Sequence, residues 1–473
     1  NLLQRLRQER IAIKAYKKVL QLQPTNVHAL LSLAICMQSM ELHHEAIGYY
    51  RKILDLQPDN AQAYVNLGVA YKKIESYDEA IACYKKAIEL SPNVDYIYTN
   101  YANALSSANR REEAIELYHQ ALSMNPNSTE ALNGLGYAQH CLADFTNAQE
   151  NFDKTLAINP NHVEAHFNKA LNFLIQGQLQ EGWKEYDWRM QKPEMAPMIS
   201  KIPYPLWDGS PLAGRTLIIF AEQGFGDNIQ FIRYLPMLEK DGGKVTFATR
   251  PELFRLFEQV TAIDTLTNRG ELTSEFDVYI PLLSLPRIFN TTLENIPATV
   301  PYLNAYEKDI AELKNVVNEK KSKFKVGVCW TGSPTHKNTQ NRSCQLEDFL
   351  PLLKMKDIQF YSLQKTYAEN SIKNDIPIID LSGKLTDFAM TAAAISHMDL
   401  VITVDTSVAH LAGALGKPVW NLLSFQNDWR WMRDRMDSPW YPTMRLYRQP
   451  KLGDWATVFN KVKSDLTRFK KKK

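Results

Sequence analysis

The chain has 473 residues, of which 45% are hydrophobic and 23% charged, with a formal net charge of +3. That balance describes a globular protein able to bury a sizeable core and long enough for about three domains. It excludes duplex nucleic acid as a partner, because the only basic block is the Lys471–Lys473 tail. Five scattered cysteines (Cys36, Cys83, Cys141, Cys329, Cys344) form no CxxC pair. They argue against structural zinc and for a reducing compartment, so a cytoplasmic location is expected. No apolar run is long enough to span a bilayer and no signal peptide is visible. The chain opens at Asn1 inside an incomplete repeat, which suggests that something precedes it.

From the start the sequence keeps a period. Pro24, Pro58, Pro92, Pro126 and Pro160 are each 34 residues apart, and so are Ala12, Ala46, Ala80, Ala114 and Ala148. An aromatic follows each alanine four residues later (Tyr16, Tyr50, Tyr84, Tyr118, Phe152), on the same helical face. Leu33, Leu67, Tyr101 and Leu135 recur on the preceding helix, followed by Ala34, Gly68, Ala102 and Gly136. The small residues allow two helices to cross closely, the rings fill the gap, and the prolines end each second helix. This pattern resembles the tetratricopeptide repeat family over residues 1 to about 190, and a helical superhelix is expected over 1–192. After Pro160 the pattern decays, with Lys169 at the apolar position and Gly182 at the alanine position. Trp183, Tyr186 and Trp188 then suggest a last helix pair packed onto the next domain.

Asn66, Asn100 and Asn168 share one repeat position, which places them as a spaced row on the inner helices. An asparagine amide can both donate to and accept from an extended peptide backbone, and stacked repeats commonly bind peptides on their concave face. O-linked N-acetylglucosamine transferases use a similar row to hold protein substrates. Asparagine is also simply common at this repeat position, and both readings stand.

Five prolines between Pro193 and Pro211 predict a stiff linker over 193–211. Beyond it, short apolar strands alternate with helix-length segments. Strands are expected at Thr216–Ala221, Lys244–Ala248, Asp277–Ile280, Lys325–Trp330, Ile358–Leu363, Leu400–Val404 and Val419–Leu423. This alternation implies parallel sheets in two Rossmann-like units, 212–310 and 311–455, with ligands beyond the carboxyl ends of the strands. An amphipathic helix over Trp455–Phe469, within a terminal segment 456–473, is expected to brace the first unit.

Three strand ends carry chemistry. Glu222-Gln223-Gly224-Phe225-Gly226-Asp227 follows the first strand, and its glycines allow a tight turn that delivers the Asp227 carboxylate at a helix start, either into the cleft or simply as a helix cap. Trp330-Thr331-Gly332-Ser333, with Lys337 and Arg342 beyond it, either offers hydroxyl and basic groups to a diphosphate or is a charged surface loop. Asp405-Thr406-Ser407 and His410 stand where a buried strand enters a small-residue helix, whose N–H groups and dipole favour an anion. Gln364 and Lys365 end another strand and could meet a nucleotide's base or ribose. Asp428-Trp429-Arg430-Trp431 is read either as a segment closing over the sugar or as edge packing.

Together these elements resemble the ADP-heptose:lipopolysaccharide heptosyltransferases over roughly 212–455, most specifically at Asp405–His410. Fused to repeats, they resemble bacterial tetratricopeptide glycosyltransferases. The resemblance implies a GT-B fold and an inverting, metal-independent transferase that uses a nucleotide-sugar and no cofactor. It carries Asp227 over as general base; Glu222-Gln223 is not the usual lead-in of those enzymes, and Glu222 is a second candidate on its own chemistry. Thr406, Ser407 and His410 become diphosphate contacts, and Arg342 or Lys337 replaces the family's phosphate-binding lysine. Ser407 stands where those enzymes usually have glycine, which bears on the donor sugar. No Asp-x-Asp occurs in the chain, so positive protein groups would be needed at the phosphates. The acceptor implied is a protein held by the repeats. The other readings are a non-enzymatic repeat scaffold, or a transferase for glycan or lipid-linked acceptors.

Overall fold

The computed structural model describes residues 2–269, 275–317, 324–333, 339–365, 372 and 376–471. The chain divides into two compact units, Asn1–Asn172 and Phe173–Lys473.

The first unit is a run of antiparallel helices: α1 (Leu2–Leu22), α2 (Val27–Ser39), α3 (His43–Leu56), α4 (Ala61–Lys73), α5 (Tyr77–Leu90), α6 (Asp95–Ser107), α7 (Arg111–Met124), α8 (Thr129–Cys141) and α9 (Phe145–Ile158). Helix α10 (Val163–Ile175) crosses the boundary and α11 (Leu179–Tyr186) lies in the second unit. Each proline stands two residues past the end of a helix, as at Leu56 and Pro58. Asn26 and Asn60 then cap the next helices, accepting from Ala29 and Ala63 N–H at 3.0 and 2.9 Å. Within each pair the chain turns through a left-handed residue, again at the 34-residue period: Glu41, Glu75, Asn109, Ala143 and Gly177. Only the last is glycine, so the first four carry a conformation that L-residues disfavour.

Burial follows the sequence period. Ala46, Ala80, Ala114 and Ala148 are inaccessible, as are the rings of Tyr50, Tyr84, Tyr118 and Phe152 apart from a trace at Tyr118. The glycines are required by those rings. A Cβ at Gly68 would stand 2.8 Å from the Tyr84 ring, and one at Gly136 would stand 2.7 Å from Phe152. Gly68→Ala is therefore expected to destabilise the repeats by about 1–3 kcal/mol through overpacking. Urea unfolding of the full chain would read this as a lower midpoint at unchanged slope.

The second unit contains two parallel sheets. The segment expected as a linker is packed instead. After α12 (Ala196–Ile199), Leu206 bridges Tyr279 in parallel and Tyr204 lies 4.3 Å from Phe276, so the prolines shape an added edge to the first sheet. That sheet holds β1 (Thr216–Phe220), β2 (Lys244–Thr249), β3 (Thr265–Asn268) and β4 (Val278–Pro281), in the order β3-β2-β1-β4. Helices α13 (Phe225–Phe231), α14 (Phe254–Phe257) and α15 (Leu285–Ile288) connect or follow these strands.

Helix α16 (Glu307–Val317) leads into the second sheet, whose strands are β5 (Phe324–Cys329), β6 (Ile358–Ser362), β7 (Ile379–Asp380), β8 (Leu400–Val404), β9 (Val419–Leu423) and β10 (Met444–Arg448). Their order is β10-β9-β8-β5-β6-β7. Helices α17 (Thr339–Arg342) and α18 (Leu350–Leu353) follow β5, while α19 (Phe388–Ser396) and α20 (Ser407–Ala414) flank β8. Helix α21 (Trp455–Lys470) corrects an expectation. Its buried face, Trp455, Val458, Phe459, Val462 and Leu466, packs into the core of the second sheet with Val326, Phe360 and Trp420, and does not brace the first. In each sheet the order reverses once, between β1 and β4 and between β5 and β8. Such reversal points open a crevice at the strand ends.

Candidate active site

In the first sheet the crevice is filled. Glu222 leaves β1 and points inward, where Arg189 grips its carboxylate with Nε at 2.9 Å and Nη2 at 2.6 Å, both side chains only 2–3% exposed. The Leu283 N–H, just beyond β4, donates to the same carboxylate at 3.0 Å. Asp187 completes the network, accepting from Arg189 at 2.8 Å and from Arg287 at 2.6 Å. At 3% exposure, and enclosed by Arg189 and the Leu283 N–H, Glu222 presents no face to an acceptor, whereas Asp227 is 17% exposed, so the geometry does not support Glu222 as second base candidate.

The same residues fix the loop that follows. Gln223 adopts a left-handed backbone at φ +57° and its amide donates to the Tyr186 hydroxyl at 2.9 Å. Trp183, also on α11, donates to Thr291 O at 3.1 Å and meets Trp429 edge-on at 5.2 Å. Helix α11 is thus a structural part of the α/β unit, as the aromatic cluster at the end of the repeats suggested. A fragment beginning at residue 195 would strand Glu222 without Arg189. Losing one partner of a buried pair costs about 3–5 kcal/mol, so this fragment should fail to fold, whereas one beginning at Phe173 should give a cooperative melt by circular dichroism.

Asp227 sits on the first turn of α13, where Oδ2 accepts from Gly224 N–H at 2.8 Å. Its Oδ1 accepts from Nη2 of Arg430. Burial raises the Asp227 carboxyl above its usual range, opposed by Arg430 and the Gly224 N–H. Arg430 itself is 5% exposed and also reaches Asp428 Oδ1 and Gln230 Oε1, each at 2.9 Å. Burial alone would lower its pKa, but Asp428 and Asp227 more than offset this and the guanidinium stays charged. The Asp428–Trp431 segment thus shows the arginine and aromatic packing of one sequence reading, with Arg430 on Asp227 and Gln230 and Trp429 against Trp183.

His410, on α20, approaches the same helix from the other side. A Cβ at Gly226 would lie 2.6 Å from its ring, so the glycine is what lets α13 and α20 touch. Burial first, then Arg430, Arg233 and Arg342, hold His410 well below its ordinary pKa, so the ring is neutral. Nδ1 pairs with the Tyr441 hydroxyl at 2.9 Å. Arg233, from the segment after α13, is the further anchor that sequence reasoning missed. It donates to Trp440 O at 2.6 Å and Tyr302 Oη at 2.9 Å, and stacks on Tyr302 and Tyr441 at 4.5 and 4.6 Å.

The crevice between β5 and β8 is where most of the remaining predicted residues converge. Asp405 and Ser407 are partly exposed at the tip of α20. Thr406 is buried and its hydroxyl pairs with Thr403 Oγ1 at 3.1 Å. Among the described residues no side chain caps α20, so its first N–H groups keep no side-chain acceptor. Thr406 therefore offers its backbone here and its hydroxyl elsewhere. Arg342 lies over Gly332, with Nη2 2.9 Å from where a Cβ would be, and its Nε is buried without a hydrogen-bond partner. Gln364 turns inward as well. Its Oε1 accepts from Thr331 N–H at 3.1 Å and Cys329 Sγ at 3.3 Å, so it shapes the loop after β5. Ser333 and Lys365 are exposed at the ends of that loop and of β6, and Lys337 lies outside the described residues. Asp405 is pushed up to about 6, by burial first and by Asp428 next, with Arg342 opposing.

In the repeats, Asn66, Asn100 and Asn168 are all half-buried. Asn66 accepts from Gln62 at 3.1 Å, and Asn168 donates to Asn133 one repeat back at 3.0 Å. The row skips a repeat at Gly134, where a Cβ would stand 2.6 Å from the Tyr118 ring. Among the described residues no group of three or more His, Cys, Asp or Glu is arranged to hold a metal ion, and no helix is long and apolar enough to cross a membrane.

Comparison with known proteins places both halves. Residues 37–165 match the tetratricopeptide domain of cytochrome c-type biogenesis protein H, and residues 363–432 match glycosyltransferase family 9 (heptosyltransferase). The second match runs from the end of β6 through Asp405–His410 to Arg430. The chain thus joins a tetratricopeptide-repeat region to a glycosyltransferase-type α/β region. It is 27% identical over 332 residues to protein FlbA of Caulobacter vibrioides, covering 64% of this chain and 55% of that protein. The chain therefore spans about half the length of that curated relative. Among solved structures it is similar to YrrB, a tetratricopeptide protein with an unusual peptide-binding site (20% identity, 40% of this chain, 100% of that one, TM-score 0.30). It is also similar to MamA (22% identity, 38% of this chain, 98% of that one, TM-score 0.31).

The Asp405 environment gives a pH prediction. A carboxyl whose folded pKa exceeds its unfolded value stabilises the fold below the unfolded value, and that contribution is lost as pH rises through the folded one. For Asp405 the window runs from its ordinary 3.8 to about 6. Asp405→Asn should therefore melt above wild type at neutral pH, with the advantage gone near the lower end of that window.

Proposed function

We propose that the protein is an inverting, metal-independent glycosyltransferase that moves a sugar from a nucleotide-sugar to a protein held by the repeats. The family 9 match supports the transferase class. The observation that carries the finer reading is the pairing of two walls. Asp227 stands on α13 of the first sheet, and the uncapped tip of α20 stands on the second. Gly226 against His410 and Arg430 against Asp227 hold them together.

In this reading the diphosphate docks on the α20 tip at Thr406 and Ser407, facing Arg342, whose buried Nε still lacks an acceptor. An acceptor oxygen attacks the anomeric carbon, the carbon–oxygen bond to the diphosphate breaks, and the nucleoside diphosphate leaves with the electron pair. Asp227 takes the acceptor's proton; burial, which raises its proton affinity, suits it to that role. Arg342, Arg430 and the helix N–H groups meet the charge that develops on the leaving group. His410, neutral and tied to Tyr441, shapes the pocket without adding charge. Asn66, Asn100 and Asn168 supply amides for an extended acceptor, with Asn66 and Asn168 exchanging their present side-chain partners for its backbone.

A screen of UDP-, GDP-, ADP- and CDP-sugars with candidate acceptor proteins tests this. Asp227→Ala is expected to lower transfer by about 10²–10⁴-fold while a nucleoside diphosphate still binds. Absence of transfer from every donor in the wild-type protein would overturn the reading.

A further inference from the structure

A carboxylate that is to accept a proton needs a free lone pair facing the substrate, and Asp227 is held at both oxygens. One faces the Gly224 N–H within its own helix start, and the other faces Nη2 of Arg430, from the far end of the sequence. The Gly224 bond is part of how α13 begins and moves with it. The Arg430 bond joins two separate segments of the chain.

Arg430 gives each of its three nitrogens a different partner. Nε is anchored on Gln230 Oε1 and Nη1 on Asp428 Oδ1, leaving Nη2 for Asp227. Its charge is felt across the crevice, since it lowers the proton affinity of both His410 and Asp405. Its neighbour Trp431 lies 5.1 Å from the His410 ring on α20, so Arg430 touches the base on one wall and adjoins the helix of the other. A diphosphate offers two formal charges and several acceptor oxygens where Asp227 offers one, and guanidinium–phosphate contacts are among the stronger charge-assisted pairs.

We propose that Arg430 is a donor-operated latch, holding Asp227 while the site is empty and passing its Nη2 arm to the diphosphate when a nucleotide-sugar binds. This rests on the reading given under Proposed function. The exchange moves no proton and breaks no covalent bond. The guanidinium keeps its charge and trades one anionic partner for another. The released carboxylate loses the cation that opposed its burial, so it becomes a stronger base once the donor is in place. Proton transfer to Asp227 and departure of the nucleoside diphosphate then follow as already described. The consequence is an order: donor first, acceptor second.

The test is a double-mutant cycle on nucleoside diphosphate affinity in the full chain, by calorimetry with UDP, GDP, ADP and CDP. Because Asp227 competes with the ligand for Arg430, Asp227→Asn should bind the preferred diphosphate about five- to tenfold more tightly than wild type, within the usual range of coupling between linked sites. Arg430→Met should bind it about tenfold more weakly, and in that background Asp227→Asn should change affinity by less than about twofold. Arg430→Lys, which keeps the charge, should recover most of the lost affinity. It also carries the comparison if thermal melting shows that Arg430→Met does not fold. Unchanged or weaker binding by Asp227→Asn would overturn the latch and leave the pair as a brace between the two walls. Failure of the wild type to bind any of the four diphosphates would instead remove the donor site, and the latch with it.

Discussion

A guanidinium taken out of water is tolerable only where fixed acceptors surround it, and three such groups organise the α/β unit. Arg189, Arg233 and Arg430 are each nearly inaccessible, and each is satisfied by partners distant in sequence. Arg189 ties the segment after α11 to the loop beyond β1. Arg233 threads an aromatic pocket formed by Tyr302, Trp440 and Tyr441. Arg430 spans from the loop after β9 to α13. A buried charge with directional donors has few acceptable arrangements, so these three contacts set where Asp227 stands relative to the α20 tip.

The same logic separates residues that shape the crevice from those that face it. Gln364, Thr406 and Glu222 have strongly polar side chains at strand ends, yet all three are turned inward and engaged. They hold loops in register. Arg342, Asp405 and Ser407 keep part of their surface or their hydrogen-bonding capacity open at the second sheet's reversal point. Polar identity at a strand end is thus a necessary sign of a site residue but not a sufficient one, because the loops themselves require polar clamps.

The repeats were legible because a period is visible without knowing what touches what. Spaced alanines and rings named their own core. Seven strands are legible within a residue or two for the same local reason, as runs of apolar, largely β-branched and aromatic residues. Three others are not. Thr265–Asn268 and Ile379–Asp380 are short edge strands, and Met444–Arg448 carries charge at both Arg445 and Arg448. At the candidate site, strand ends pointed to the correct loops, but pairing did not show. Asp227 and Arg430 are 203 residues apart, and nothing in either local sequence names the other. The left-handed turns at Glu41, Glu75, Asn109 and Ala143 leave no mark in the sequence, because glycine, the usual sign, is missing there.

The two sheets reverse order in the same manner, yet they are not equivalent halves. In one, the notch beside β1 is already occupied by the Glu222 carboxylate and the Arg189 guanidinium, a salt pair of the chain's own making. In the other, Asp405 and Ser407 at the end of β8 remain partly exposed. An internal anion thus occupies the first reversal point, so the two sheets, alike in topology, are not interchangeable as binding surfaces.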